Sequence, residues 1–389
     1  MSLSRAESKL SMPADVYEAF KKDFQNGIIT LGDVCSANCF FCSQKWNPPH
    51  VLKHLNRMLT LEEIEHFMDR HLKSPAWIGS AIHVNSGEFF CHPHVMDVLK
   101  LLVQKKRVEC NNMITFTNAM ELTEEKLEII KELNLCLHVS LHTTNISHRT
   151  KIMGGTQKKH QNAIATLSLL KKYKIHHLIL LVPLKQSITS GDFEATVRNL
   201  TEINTTKIVV HRPGYTKYTP AHVIKELSVP DNFLHQYCLF LKKKYSANIS
   251  YGFAMSDTDM NKDISESLRN LMKDKRNFSK RRKLFLYPAS VRNVFPGVLK
   301  SLGMENDGSH MVKSQVFAGN VDCAGLLLVE DYLAAVKEFF LHNKGPRPEE
   351  IILPRASFDI NDEDLSMTPA TQIEKIYGTK VHLCGKRAN

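Results

Sequence analysis

Between about residue 25 and residue 212 the chain alternates six times between short apolar runs of β character and amphipathic helical patterns. "GIITLGD" (27–33), "IGSAIHVNSGE" (78–88), "NMITFTNA" (112–119), "LCLHVSLH" (135–142), "HHLILLVPL" (176–184) and "TKIVVHRP" (206–213) read as strands. Helical stretches such as "TLEEIEHFMDRHL" (60–72) lie between them, and there Thr60 and Glu63 are spaced as a capping box. A helix after every strand serves as a crossover, and crossovers make neighbouring strands parallel. Continuous apolar runs such as "LILLV" fit a sheet buried on both faces. The pattern leaves open whether the sheet is flat or curls toward a barrel. In both cases the working edge is the C-terminal end of the strands.

The first strand runs into "CSANCFFCSQKW", with Cys35, Cys39 and Cys42 spaced C-x3-C-x2-C. Thiolates suit zinc and iron–sulfur clusters. A structural zinc site wants four protein ligands, and His50 is the nearby candidate for a fourth. A [4Fe–4S] cluster usually takes four cysteines; held by three, it keeps one iron open to a small molecule. The other cysteines are scattered: Cys91, Cys110, Cys136 and Cys238 read as packing residues, and Cys323 and Cys384 as a remote pair in the tail.

C-x3-C-x2-C with Phe41 before the third cysteine, after the first strand of a βα series, resembles the radical S-adenosylmethionine (SAM) superfamily. That resemblance implies a partial (β/α)6 TIM-like barrel. It also implies a [4Fe–4S] cluster on Cys35, Cys39 and Cys42, with SAM chelating the fourth iron. One-electron reduction by a donor such as flavodoxin or ferredoxin would cleave SAM to a 5′-deoxyadenosyl radical, which abstracts hydrogen from a substrate. Further stretches resemble the family's motifs in order. "SGEFFCHP" (86–93) is similar to its Gly-Gly-Glu-Pro, with Ser86 for the first glycine and Phe89 for the proline. Ser86, Gly87 and Glu88 are thereby expected at the methionyl end of SAM. "TFTNAMELT" is similar to its Thr-Asn-Gly, which brings in Thr117 and Asn118, with Ala119 for glycine. "VSLHTT" places Ser140 near the ribose or carboxylate, and "LLVPL" places Leu181 and Val182 beside the adenine.

Farther on, "VVHRPGYTKYTP" (209–220) is similar to a Gly-x-Thr-Lys-Tyr segment of radical SAM proteins with a C-terminal domain of unknown function. It puts His211, Tyr215 and Lys217 at the expected substrate site. "GNVDCAGLLLVEDYLAAV" (319–336) resembles that domain's Gly-Leu-Leu signature, with Leu328, Val329 and Glu330 where the family has Thr-Gly-Gln. The expected organisation is an N-terminal extension (1–24), a radical SAM core (25–221), a helical basic connector (222–300) and an α+β domain (301–389) that caps the strand ends. A cap is physically reasonable, since a radical must be kept from water and thiols.

Composition bounds the partners. The chain has 389 residues, 43% of them hydrophobic and 23% charged, which suits a chain with a real core. Its apolar runs fall far short of the ~20 residues of a membrane span. A signal-peptide pattern is absent from the first residues, so the expected compartment is the cytoplasm. The net charge of +11 favours an anionic partner, and a small anionic metabolite or natural-product precursor is the expected substrate. "KDKRNFSKRRK" (273–283) has seven basic residues in eleven and reads first as a solvated face or linker, second as a nucleic-acid footprint. Two other functions stay in view: a radical enzyme acting on RNA or a peptide, and a non-catalytic zinc or iron–sulfur scaffold.

Overall fold

A computed structural model describes residues 12–51, 57–72, 77–79, 87–104, 113–203, 205, 207–252, 257–274, 281–343 and 345–385. The chain divides into two compact units. The first comprises residues 1–45, 53–213 and 220–254; the second comprises 46–52, 214–219 and 255–389.

The first unit runs α1 (Ala14–Gln25), β1 (Ile28–Ile29), α2 (Leu61–Arg70), β2 (Trp77–Ile78), α3 (Val95–Gln104), β3 (Ile114–Thr117), α4 (Glu124–Glu132) and β4 (Cys136–Ser140). It continues with α5 (Ile146–Met153), α6 (Gln157–Lys172), β5 (His177–Leu181), α7 (Lys185–Thr189), α8 (Asp192–Glu202), β6 (Ile208–Val210), α9 (Ala221–Leu227), α10 (Asp231–Tyr245) and β7 (Ile249–Tyr251). Its seven strands form one sheet in the order β1 to β7, and every adjacent pair is parallel. An order that never reverses, with right-handed crossovers, puts all the helices on one face. This is a TIM-like partial barrel.

Alternation along the strands separates the two faces. Ile78, Thr115, Leu137, Val139, Ile179 and Val210 are fully buried beneath the helices. Trp77, Phe116, His138 and Ser140 face the other way and stay partly exposed. Register puts Phe116 beside His138, with the Trp77 ring stacked on Phe116 at 5.6 Å and Phe116 edge-on to His138 at 5.1 Å.

Capping follows the sequence. The Glu63 N–H donates to Thr60 Oγ1 (3.3 Å) and the Thr60 N–H to Glu63 Oε2 (2.9 Å), which forms the expected capping box. Asn145 caps α5 by accepting the His148 N–H at 3.0 Å. Six of the strands lie within the expected runs or next to them, although residues 80–86 of the second run are outside the described set. The seventh, β7, falls in the stretch read as helical, because three residues after a helix carry no alternation to detect.

The second unit contains α11 (Asp257–Asp274), β8 (Lys283–Pro288), α12 (Phe295–Ser301), β9 (Gly308–Val312), α13 (Val329–His342), β10 (Glu350–Pro354), α14 (Thr371–Tyr377) and β11 (Lys380–Cys384). Here helices and strands alternate strictly, and the sheet is parallel in the order β11-β10-β8-β9. Leu284, Leu286, Tyr332, Val336 and Ile351 pack on one face, while Phe285, Phe295, Val298 and Ile352 pack on the other. The described end of the basic run is structural: Arg281 pairs with Glu350 (3.1 Å) and Lys283 opens β8. Residues 275–280 of that run lie outside the described set.

The face assignment has a direct test. Val139→Ala is expected to lower the unfolding free energy by about 2 kcal/mol, and Ser140→Ala, one residue along on the open face, by no more than ~0.5 kcal/mol. Urea denaturation of both variants reads the difference.

Candidate functional site

The cysteine loop leaves β1 and has no long element of its own, so its position is set by its neighbours. Helix α5 holds one side: the Asn38 N–H donates to Met153 O (2.6 Å) and the Phe40 N–H to Ile152 O (3.2 Å). Both bonds flank Cys39 and use carbonyls that a helix end leaves without internal partners. The turn after α5 presses closely here, since a Cβ on Gly154 would lie 3.1 Å from Asn38 Cβ. On the other side, the Gly87 N–H donates to Gly32 O and the Glu88 N–H to Val34 O, both at 2.7 Å. A Cβ on Gly87 would overlap the Val34 carbonyl, so only glycine allows this approach.

Glu88 is a strut. Its carboxylate accepts from the Thr117 hydroxyl and the Asn118 N–H, each at 2.7 Å, and so ties the segment that docks on Gly32 and Val34 to the end of β3. Burial pushes its carboxyl up to about 7, and the bonds from Asn118 and Thr117 pull the other way. Thr117 Oγ1 also accepts the Ala119 N–H at 2.9 Å. Ala119, which stands where the family has glycine, adopts φ +62°. Asn118 extends its amide toward the loop, 3.8 Å from Cys35 Sγ and 3.4 Å from Ser36 Oγ.

Cys35 is exposed and Cys39 and Cys42 are partly so. As free thiols, Cys35 and Cys39 are both pushed up to about 12, first by burial and then by neighbouring groups that include Cys42. Three thiolates gathered this way need a cation to hold them. Among the described residues no set of three His, Cys, Asp or Glu side chains converges on one point, as a single ion would require. A cuboidal cluster gives each cysteine its own iron and does not need that convergence. The Ala37 N–H donates to Cys35 Sγ at 3.4 Å, and with the Asn118 amide it supplies the N–H···S contacts that suit a cluster thiolate. The residues therefore fit a [4Fe–4S] cluster. A cleft of about 510 Å³ lies against Cys35, lined also by Ser36, Cys91, Glu121, Lys126 and Lys159. Cys91, read from sequence as packing, borders this cleft beside the cluster loop.

The remaining expected residues are dispersed. Ser140 faces the concave side, and its carbonyl accepts from Arg149 at 3.3 Å. Leu181 is fully buried on the helix-covered face, so its side chain does not reach the concave side. Val182 donates its N–H to His142 Nδ1 at 3.1 Å. Ser86 lies outside the described residues. His211 belongs to the first unit and Tyr215 and Lys217 to the second. Lys217 donates to Gln315 O at 2.9 Å and lies over the Tyr218 ring. His50 is in the second unit and meets Tyr218 edge-on at 6.5 Å.

Two residues that the sequence reading passed over stand at the centre. His142 is buried at φ +67° and packs edge-on to Phe41 at 4.8 Å. Burial, with the nearby charges of Arg149 and His211, drives it down to about 3, so it is neutral and carries its proton on Nε2. Arg149 is fully buried. It shares a helix face with Ile152 and Met153, and that i, i+3, i+4 spacing is the signal that could have found it.

Two outcomes follow. Gly87→Ala is expected to destabilise the protein by on the order of 3 kcal/mol, while Gly214→Ala, where a Cβ meets nothing within 4 Å, leaves the melting temperature nearly unchanged. Glu88 also makes stability pH-dependent. Between its ordinary 4.5 and about 7 the folded chain keeps a proton that the unfolded chain has lost. Stability therefore falls as pH rises through that window and levels off above it. Glu88→Gln should flatten that slope in urea titrations of the metal-free protein.

Residues 29–200 match the family model of the radical SAM superfamily. No curated protein matches the chain in sequence. Among solved structures, Streptococcus suis SuiB bound to the precursor peptide SuiA is similar at 17% identity and TM-score 0.42, over 65% of this chain and 56% of that one. Native anSMEcpe with bound AdoMet is similar at 13% identity and TM-score 0.38, over 62% and 65%. TYW1 with a lysine-pyruvate adduct is similar at 16% identity and TM-score 0.35, over 60% and 78%. The chain thus spans little more than half the length of SuiB. Over residues 29–200 it belongs to the radical SAM superfamily, a family that uses a [4Fe–4S] cluster and S-adenosylmethionine, and its cysteine loop fits such a cluster.

Proposed function

We propose that the protein is a radical SAM enzyme acting on a small anionic molecule, with electrons supplied by a donor of the flavodoxin or ferredoxin kind. The observation that carries the reading is the three-thiol loop fixed at the end of β1 by the Gly87–Glu88 backbone, the Asn118 amide and the end of α5. When bound, the cluster and SAM supply a 5′-deoxyadenosyl radical that removes hydrogen from the substrate. The protein's own residues bind and orient. Cys35, Cys39 and Cys42 would each hold one iron. Gly87 and Glu88 would border the methionyl end of SAM; the Glu88 carboxylate, although engaged by Thr117 and Asn118, keeps lone pairs for a further donor.

His142 presents a neutral ring whose Nε2–H is a donor at any physiological pH. His138 is likewise held neutral, pushed down to about 4 by burial and by the charge of His211. Neutral histidines and the stacked Trp77–Phe116 pair line the open face of the sheet with groups that carry no charge. The net charge of +11 supports an anionic substrate.

The test is anaerobic. Protein reconstituted with iron and sulfide, reduced with dithionite and given SAM should release 5′-deoxyadenosine, seen by chromatography, and Cys39→Ala should release none. No 5′-deoxyadenosine from a protein that has taken up zinc would overturn the reading.

A further inference from the structure

Arg149 is the largest fully buried side chain among the described residues, and none of its hydrogen-bond partners is an anion. Its Nε donates to Leu141 O at 2.9 Å, Nη2 to Asn118 O at 2.8 Å and Ser140 O at 3.3 Å, and Nη1 to His160 Nδ1 at 2.7 Å. Because an arginine can only donate, His160 Nδ1 accepts; the His160 proton is then on Nε2 and goes to Gly154 O at 2.6 Å. All the partners of the guanidinium are therefore neutral. A buried cation among neutral acceptors is costly unless an anion stands nearby.

The cysteine loop, anionic once it carries a cluster, is held by the same supports that Arg149 engages. Arg149 lies on α5, one turn before Ile152 and Met153, whose carbonyls hold the N–H groups on both sides of Cys39. Its bond to Asn118 O engages the same residue whose amide reaches Cys35 Sγ. Its bond to His160 braces Gly154, the residue packed against Asn38. The end of α5 would otherwise turn only carbonyl oxygens, the negative end of a helix dipole, toward the loop.

Resting on the radical SAM reading, we propose that Arg149 is a positioning residue whose fixed buried charge raises the reduction potential of the cluster. The physical reason is charge. A reduced cluster carries one more negative charge than an oxidised one, so a nearby cation that solvent cannot screen stabilises the reduced state. Lysine cannot match the fork that reaches three strand-end carbonyls and a histidine, but it can keep the charge.

The experiment is a redox titration of the reconstituted holoenzyme, followed by the electron paramagnetic resonance of the reduced cluster, for wild type, Arg149→Gln, Arg149→Lys and Arg149→citrulline. Citrulline is nearly isosteric and neutral, and it tests the charge where glutamine fails to fold. At fixed potential the neutral variants should show about a tenfold lower ratio of reduced to oxidised cluster, a shift of ~59 mV to more negative potential for one electron. Arg149→Lys should recover most of it. A purely structural role predicts the opposite sign, because water admitted by a loosened core also stabilises the more charged reduced state. A cluster that assembles normally but has an unchanged or higher potential in the neutral variants overturns the proposal. A wild-type protein that binds no cluster overturns the underlying reading instead, and iron and sulfide content distinguishes the two cases.

Discussion

A loop of cysteines has no fold until something holds its backbone, and in this protein that hold is a set of main-chain hydrogen bonds to neighbouring segments. Gly87 and Glu88 dock on Gly32 and Val34, while Asn38 and Phe40 dock on the last carbonyls of α5. The first contact exists only because residue 87 has no Cβ. Glu88 then passes the constraint to β3 through Thr117 and Asn118, and Arg149 passes it to β4 through Leu141 and Ser140. The ends of β3 and β4 and the loop that follows β1 are thereby tied together, with buried groups that would be expensive to leave unpaired.

The sheet order makes that point usable. A parallel sheet that never reverses collects its helices on one side, where Leu137, Val139, Ile179 and Val210 are fully buried. The other side is left to polar and aromatic groups. Burial then sets their charge: His138 and His142 are neutral, and Arg149 is the fixed cation. One fold thus supplies uncharged groups on the open face of the sheet and a buried arginine on the helix that supports the thiol loop.

The fold was legible where periodicity is strong. The six long apolar runs and the Thr60–Glu63 box gave strands and a cap in the right places, and the cysteine spacing pointed to the site. What escaped has physical causes. Strand β7 is three residues long and offers no pattern. Leu181 and Val182 are adjacent in an apolar run, and only sheet register shows that Leu181 faces the helices. Ala119 and His142 take positive φ, a conformation their residue types do not advertise. Arg149 was passed over in the sequence, and its burial and four neutral partners emerge only in the fold. The bond from Lys217 to Gln315 O, about a hundred residues away in sequence, was equally invisible in the sequence.

The most direct measurement is electron–nuclear double resonance on the reduced cluster with SAM labelled at its amino nitrogen and carboxylate oxygen. Coupling of both labels to the cluster is the expected result, because three cysteines leave one iron open for that chelate. A reduced cluster with no coupling to either label would mean that the fourth position is closed, and the account of this site would fail.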